Sequence, residues 1–450
     1  MHIIHKPLRA IFAILLAATA VTRPLYATSA VSTSETPLQI YDIAVRNDPS
    51  FGAAFSEHAI SKEKTNQVRG ALYPEVNLTA EIARNREDVE TNGIGISGLN
   101  YFDSNNLEVE VKQALYRQDI FSKIDIADAE SLAADNAYKL AQQDLIMRTI
   151  QTYFDVLSAQ DNMRFANAEK ETISRQLQNI KQRFKVGKST KTDLQEAQAS
   201  YHLSVAQAII SQDMNQDALE GLTELTGFKH LKVAKLSAAF KPEKLKPTEL
   251  KHWVKLATTN NLQLQSSRHT IQALRHEIER QSAEHHPKLD LVAKYRTEET
   301  GGRFGESVTD DKSIGLELSI PIYKGGQTSS KVASAQLELD EARYRLLKTH
   351  RAVIRETRKS YRSITTSINR INALKQAVVS AESALSMIKK GYKVGTRTSA
   401  DVLDAQREVF KARRDYSADK YNYTIHYLQL KNLTGTLTRD ELVIINNWFM

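Results

Sequence analysis

The chain is predicted to be a mixed α and β membrane protein in which very long helical hairpins continue from short amphipathic β-strands. Three features of the 450 residues predict this fold class. A tandem duplication fills most of the chain, helical runs of unusual length lack glycine and proline, and each copy carries two segments of strict period-two alternation. No stretch beyond residue 30 is long and apolar enough for a membrane helix, and the mean hydropathy is −0.43. Any crossing of a bilayer must therefore use β-strands, the other structure that satisfies its own backbone in lipid.

The first 30 residues read as an export signal. Lys6 and Arg9 precede a short apolar core, Ala10 to Val21, and small residues follow at Ala18, Ala20, Ala27 and Ala30. An uncleaved anchor would need about 20 apolar residues, and this run is shorter. Removing Lys6, Arg9 and Arg23 with the leader lowers the formal charge from +8 to +5. No basic block dominates what remains, so the chain has no nucleic-acid character and its charge reads as a mixed, solvated surface. The chain has no cysteine, which excludes disulfides and a thiol-linked lipid anchor at the signal junction.

Residues 183–198 read RFKVGKSTKTDLQEAQ and residues 391–406 read GYKVGTRTSADVLDAQ, an offset of 208. The same offset superposes Leu225-Thr226-Gly227 on Leu433-Thr434-Gly435, and Tyr153 on Tyr361. Upstream the offset is 213, pairing Asn47 with Asn260, Pro74 with Pro287 and Leu78 with Leu291. The expected organisation is a first repeat over 31–227, a linker over 228–250, a second repeat over 251–435 and a C-terminal segment over 436–450.

Within the first copy there is no glycine between Gly98 and Gly187, and no proline between Pro74 and Pro242. A helix from about Ile120 to Val186 follows, roughly 100 Å long at 1.5 Å per residue. Gly187 breaks it and a second helix starts near Lys191-Thr192-Asp193. The second copy repeats this with a helix to Val394, a turn at Gly395-Thr396-Arg397 and a helix from Ser399. Ile173, Leu177, Ile180 and Phe184 form a thin apolar stripe, continued in kind by Leu385, Ile388 and Tyr392. Such seams join hairpins side by side and leave wide polar faces in water.

Val76, Leu78, Ala80 and Ile82 alternate with polar residues, as do Leu107, Val109 and Val111. Leu289, Leu291, Ala293 and Tyr295 make a third apolar face; Ile314, Leu316, Leu318, Ile320 and Ile322 make a fourth. Glycine-rich loops, 93–98 and 301–305, join the partners. Alternation of this kind equally suits a soluble sheet packed on one face. The leader and the lack of any other core favour a transmembrane barrel, with Tyr73, Tyr116 and Tyr323 placed for an interfacial girdle. Four strands cannot close a barrel, so the chain would have to oligomerise.

From about Pro37 to Trp448 the chain resembles the TolC family of outer-membrane channels, most specifically over GYKVGTRTSADVLDAQ at 391–406 and the related 183–198. The resemblance implies a homotrimer with a twelve-strand barrel, four strands per subunit, above a long periplasmic helical barrel. It places the chain in the outer membrane of a Gram-negative bacterium, extending into the periplasm. It implies an exit duct for a tripartite efflux pump or type I secretion system, working with a periplasmic adaptor and an inner-membrane pump of ABC, RND or MFS type. Lipid of the outer membrane is the other implied partner; no cofactor is implied. A periplasmic coiled-coil adaptor is the alternative class, but it would carry compact β-modules around one hairpin rather than two copies of strands and hairpins.

The resemblance also carries roles to residues. Asp401 and Asp404 would line the periplasmic entrance, six carboxylates in a trimer; spacing alone favours ordinary acidic residues in a first helical turn, and the motif match favours the ring. Tyr392 and Arg397 on the second tip would link to Thr192 and Asp193 on the first and hold the entrance shut. Asp193 could instead simply cap its helix. Val186, Gly187, Val394 and Gly395 would meet the adaptor. Enzymatic readings find no support: His285-His286 has no second ligand pair, GGRFG lacks the phosphate-loop lysine, and no GxSxG or cysteine nucleophile is present.

Overall fold

The computed structural model describes residues 34–90, 98–230, 232–237, 240–302 and 305–449. The export signal expected over 1–30 lies outside them, as do residues 93–97 of the first glycine-rich loop and 303–304 of the second.

One order of elements occurs twice. Helices α1 (Pro37–Asn47) and α2 (Pro49–Gly70) lead into β1 (Glu75–Val89) and β2 (Gly98–Tyr116), then α3 (Gln118–Lys185) and α4 (Lys191–Thr226). Then α5 (Leu250–Asn260), α6 (Leu262–Ser282), β3 (Lys288–Thr300), β4 (Ser307–Ser319), α7 (Gln327–Val394) and α8 (Ser399–Leu433) repeat it, followed by α9 (Arg439–Asn446). Proline sits in the first turn of both α1 and α2, where its missing N–H costs nothing. Asp48 caps α2 by accepting from the Phe51 amide at 2.9 Å, and its carboxylate is paired with Arg148 of α3 at 2.6 Å.

Helices α3 and α7 are each 68 residues long, about 100 Å at 1.5 Å per residue. They order the rest. Helix α3 packs against α2, α4, α6 and α8; α6 and α8 in turn pack against α7, and α8 also touches α4. The protomer is thus a row of helices with α2 and α4 on one edge and α7 on the other. Between α3 and α4 the seam is narrow: Leu177 and Ile180 meet Ala197, and the α4 face continues as Ser200, Ser204, Ala208 and Ser211. These small side chains allow the two backbones to approach closely. Phe184, the last residue of the expected stripe, is instead half exposed near the tip.

The strands form one antiparallel sheet in the order β1-β2-β3-β4, so among the described residues β1 and β4 are both free edges. The register gathers the apolar positions on one face: Val76, Val111, Ala293 and Ile314 lie in one row across it, and Leu291 faces Leu316. The other face carries Asn77, Glu110, Lys294 and Ser313 in the adjoining row, with Lys294 and Glu110 paired at 3.5 Å. Val76, Leu78, Ile314 and Leu316 are all at least 65 % exposed, and among the described residues no helix covers them. A soluble sheet would bury that face; here it is bare, as a lipid-facing sheet requires. The fourth strand is shorter than its alternation suggested. It ends at Ser319, because Pro321 cannot donate to the ladder and the Gly325-Gly326 turn into α7 follows, so Ile320 and Ile322 lie beyond it.

The true cores lie midway along the helices, one per copy. In the first, Ile150, Tyr153, Phe154, Leu222, Tyr421 and Leu428 pack with α1 and the C-terminal segment. In the second, Trp253, Ile364, Ile368 and Tyr423 pack with Leu245 of the linker. The repeated tyrosines do the same work in both. Tyr153 donates its hydroxyl to the Glu35 and Ala234 carbonyls at 2.8 and 2.7 Å, and Tyr361 donates to the Thr248 carbonyl. Each thereby fastens a non-helical strap to a long helix.

Gly435 closes α8 against the α5–α6 junction with φ +67°, and a Cβ there would lie 2.2 Å from the Asn260 carbonyl oxygen. Gly435→Ala is expected to cost about 2 kcal/mol or more in thermal unfolding, through strain and steric conflict together. Gly52→Ala on α2, where a Cβ meets nothing within 4 Å, should leave the midpoint unchanged or raise it.

Candidate functional site at the hairpin tips

Both hairpins turn by the same device. At the first tip the Gly187 amide donates to the Phe184 carbonyl and the Lys188 amide to the Arg183 carbonyl, at 3.0 and 2.8 Å. At the second the Gly395 amide donates to Tyr392 and the Thr396 amide to Gly391, at 3.3 and 2.9 Å. Gly187 and Gly395 have φ of 72° and 83°, the left-handed region that makes glycine the fitting residue. Val186 and Val394, beside those glycines, are 67 % and 77 % exposed. Each tip therefore ends in a bare valine on a tight turn.

The next helix starts with a reciprocal cap at both tips. The Asp193 amide donates to Thr190 Oγ1 at 3.0 Å while the Thr190 amide donates to Asp193 Oδ2 at 2.9 Å. Thr398 and Asp401 repeat the pair at 3.2 and 2.9 Å. Ser189 also donates its hydroxyl to Asp193 Oδ2 at 3.0 Å. The Thr190 amide holds the Asp193 carboxyl below the usual carboxylate range, aided by the Thr190 and Ser189 hydroxyls and Arg183. The Thr398 amide and hydroxyl do the same for Asp401, with Arg397 adding its charge.

The two expectations for these aspartates are compatible. The cap uses Oδ2 of Asp401, and Oδ1 takes no hydrogen bond from any described residue. Capping thus keeps the group ionised and leaves one oxygen facing solvent. Asp404 lies one turn on, exposed, with Arg407 at 3.3 Å as its neighbour. Arg407 also donates to Ser200 Oγ of α4 at 2.9 Å, which ties the second hairpin to the first.

Tyr392 is in the last turn of α7 and Arg397 in the turn before α8; Thr192 and Asp193 open α4. Within one protomer, Tyr392 and Arg397 make no hydrogen bond or ion pair with Thr192 or Asp193 among the described residues. The contact that does join the tips comes from Arg183, whose guanidinium lies 4.8 Å from the centre of the Tyr392 ring. Arg183 therefore acts on both Tyr392 and Asp193. Sequence reasoning missed it. The available signal was the duplication itself, which aligns Arg183 with Gly391. A Cβ at Gly391 would lie 2.8 Å from Arg397 Cγ, so the second tip leaves that position bare and folds Arg397 across it.

An edge-open, lipid-facing sheet continued by paired long hairpins defines a subunit of an outer-membrane channel. The chain belongs to the outer membrane efflux protein family, whose model matches residues 40–228 and 253–436. It is 32 % identical to the outer membrane protein TolC of Escherichia coli over 431 residues, 93 % of this chain and 86 % of that one. It is 29 % identical to the alkaline protease secretion protein AprF of Pseudomonas aeruginosa, over 90 % of this chain and 85 % of that one. Among solved structures, VceC from Vibrio cholerae superposes with a TM-score of 0.75 at 18 % identity, covering 89 % of this chain and 96 % of that one. CmeC from Campylobacter jejuni gives 0.75 at 16 %, covering 94 % of each. The protein is an outer-membrane channel of TolC type, and its family is one of channels, not of enzymes.

The caps predict a pH response at the tips. Asp193 and Asp401 have depressed folded pKa values, so their contribution is complete above the ordinary carboxylate value of 3.8 and is lost as pH falls through the folded values. Hydrogen exchange of the first turns of α4 and α8 should be flat from pH 5 to 7 on the intrinsic-rate scale and rise in protection loss only below about 4. Thr190→Ala should abolish the cap on α4 and raise exchange there by about fivefold, leaving α8 unaffected.

Proposed function

We propose that this protein is the exit duct of a tripartite efflux pump or a type I secretion system, a homotrimer that conducts cargo passively. The observation that carries the proposal is the bare apolar sheet with two free edges. Such a sheet is stable in lipid only when β4 of one subunit pairs with β1 of the next, and three copies of four strands supply a closed barrel of twelve. The similarity to TolC and to AprF, named for alkaline protease secretion, supports both cargo routes. Residues 1–30 would direct export, and the repeats over 31–227 and 251–435 would share the barrel and hairpins. The segments 228–250 and 436–450 would form the equatorial belt. A periplasmic adaptor would engage Val186, Gly187, Val394 and Gly395, and an ABC, RND or MFS pump would supply the energy.

In this reading Asp401 and Asp404 ring the entrance, and Tyr392 and Arg397 face Thr192 and Asp193 across neighbouring tips to hold it shut. Purified protein in mild detergent should run as a heat-modifiable trimer and form channels in planar bilayers. A monodisperse monomer without channel activity would refute the proposal. Replacing Asp401 and Asp404 with Ala should abolish block by a trivalent cation added on the periplasmic side; unchanged block removes them from the entrance. Charge-assisted hydrogen bonds contribute about 1.5–3 kcal/mol each, less where solvent reaches them. Tyr392→Phe combined with Arg397→Ser should therefore raise single-channel conductance several-fold without weakening the trimer. A double variant conducting no better than the parent would show that these residues do not close the pore.

A further inference from the structure

The duplication does more than repeat elements within one chain. The offset of 208 holds without a gap from Tyr153 and Tyr361 to Gly227 and Gly435, and it carries α3 onto α7 and α4 onto α8. Inside the protomer α8 packs on α3, whereas the corresponding pair, α4 and α7, stands at opposite edges of the row. In a ring of copies α4 of one subunit therefore takes the place beside α7 of the next that α8 takes beside α3.

The α3–α8 seam is apolar where it passes the first core. Phe154 stacks on Tyr421 with ring centres 5.3 Å apart, and Ile150 and Leu428 are fully buried in the same cluster. Moved by the offset, Tyr421 and Leu428 become Asp213 and Glu220 of α4, while Phe154 and Ile150 become Arg362 and Arg358 of α7. Asn432 and Met147 become Glu224 and Arg355. One seam is greasy; its counterpart is acidic on one side and basic on the other.

The stripes are regular. Asp213, Asp217, Glu220 and Glu224 recur at steps of 4, 3 and 4, all exposed, on the side of α4 turned away from its contacts with α3 at Ser211 and Leu222. Arg351, Arg355, Arg358 and Arg362 recur at the same steps, all exposed, out of phase with the buried Val353, Thr357, Ser360 and Ile364. Among the described residues none of the four carboxylates has an ion pair, and of the four arginines only Arg355 has one, with its neighbour Glu356 at 2.8 Å. Two unpaired, sign-pure stripes at matching heights would repel along their own helices if left in water.

We infer that adjacent subunits are joined by an ionic seam, in which Arg362, Arg358 and Arg355 of α7 pair with Asp213, Glu220 and Glu224 of the partner subunit's α4. The inference rests on the trimeric reading above and names the surface that serves it. The charges give the ring its polarity: acidic meets basic only head to tail, and a two-fold pairing of like edges is repelled. Nearer the tips the equivalents of Arg407, Arg414 and Glu169 are Ala199, Ala206 and Ala377, so the seam is uncharged there. The ionic seam thus fastens subunits midway along the helices, and nearer the tips it leaves the hold to the links already proposed there.

The chain has no cysteine, so one engineered pair can be read without background. The full-length protein carrying Arg362→Cys and Asp213→Cys, oxidised in detergent, should give covalent dimers and trimers on a denaturing gel, and neither single variant should. In parallel, Arg358→Glu with Arg362→Glu should lower the fraction of trimer surviving unheated detergent by at least about tenfold. Adding Asp213→Arg and Glu220→Arg to the same chain should restore it. A trimeric parent whose cysteine pair fails to cross-link, or cross-links within one subunit, overturns the seam and leaves the exit-duct reading standing. So does charge reversal without loss of trimer, or loss that the compensating reversal does not repair. A monomeric parent overturns both.

Discussion

A strand in hydrocarbon must find a partner for every backbone N–H and C=O, and a sheet of four strands leaves two ladders unpaired. In this protein the edges are β1 and β4, and the face between them is apolar and uncovered. Among the described residues nothing repairs either fault, because the helices run on from the sheet and do not fold back over it. Closure by other copies satisfies both demands at once. The rest follows from that requirement. The helices that continue from a closed sheet must themselves stand in a ring, so each needs two lateral seams and no single hydrophobic centre. Thin buried stripes along helices of 68 residues, such as Val353, Thr357, Ser360 and Ile364 on α7, meet that need, where broad amphipathic faces would collapse the row into a bundle.

Duplication is an economical way to build such a ring, since each seam within a subunit has a counterpart between subunits. The copies have diverged where the two seams differ in history. The seam within the chain is apolar, with Phe154 stacked on Tyr421 in the buried cluster. In the proposed seam between subunits the corresponding positions, Asp213 and Arg362, are charged and exposed, as suits a surface that meets water before assembly. The same divergence shows at the tips. Both keep the glycine turn and the Thr–Asp cap, yet Arg183 stands where the second copy has Gly391, and Arg397 folds over the vacancy.

Most of this architecture was legible because its punctuation is local. Gly187 and Gly395 must adopt positive φ, and Thr190 and Thr398 must cap, so helix ends at the tips follow from a few residues. The strands were legible from alternation, but alternation carries no information on where pairing stops. Ile320 and Ile322 keep the period past Pro321, although the ladder ends at Ser319. Whether the apolar face met lipid or a packed core was open in the sequence, because both environments reward the same pattern; the match to a family of outer-membrane channels decides it, and among the described residues no helix covers the face. Arg183 was illegible for another reason. Its partners, Asp193 and Tyr392, come from the same turn and from a tip some 200 residues away, and no periodicity records a contact of that range.

Stability is unevenly distributed along the hairpins, and this bears on how an entrance can move. The two cores that hold aromatic side chains lie midway along the helices, where Tyr153 and Tyr361 fasten the straps to α3 and α7. Toward the first tip the buried cluster shrinks to Leu177, Ile180 and Ala197, and beyond it the exposed residues are valines, lysines and capped aspartates. Local opening draws on the least stable parts of a fold. A displacement that starts at the glycine turns has little apolar surface to expose until it nears the equator. The caps oppose fraying of each helix start without tying one hairpin to another, since both halves of each cap belong to the same turn. Helix integrity and hairpin position are therefore controlled by different contacts. Neither cap would have to break for the hairpins to shift relative to one another.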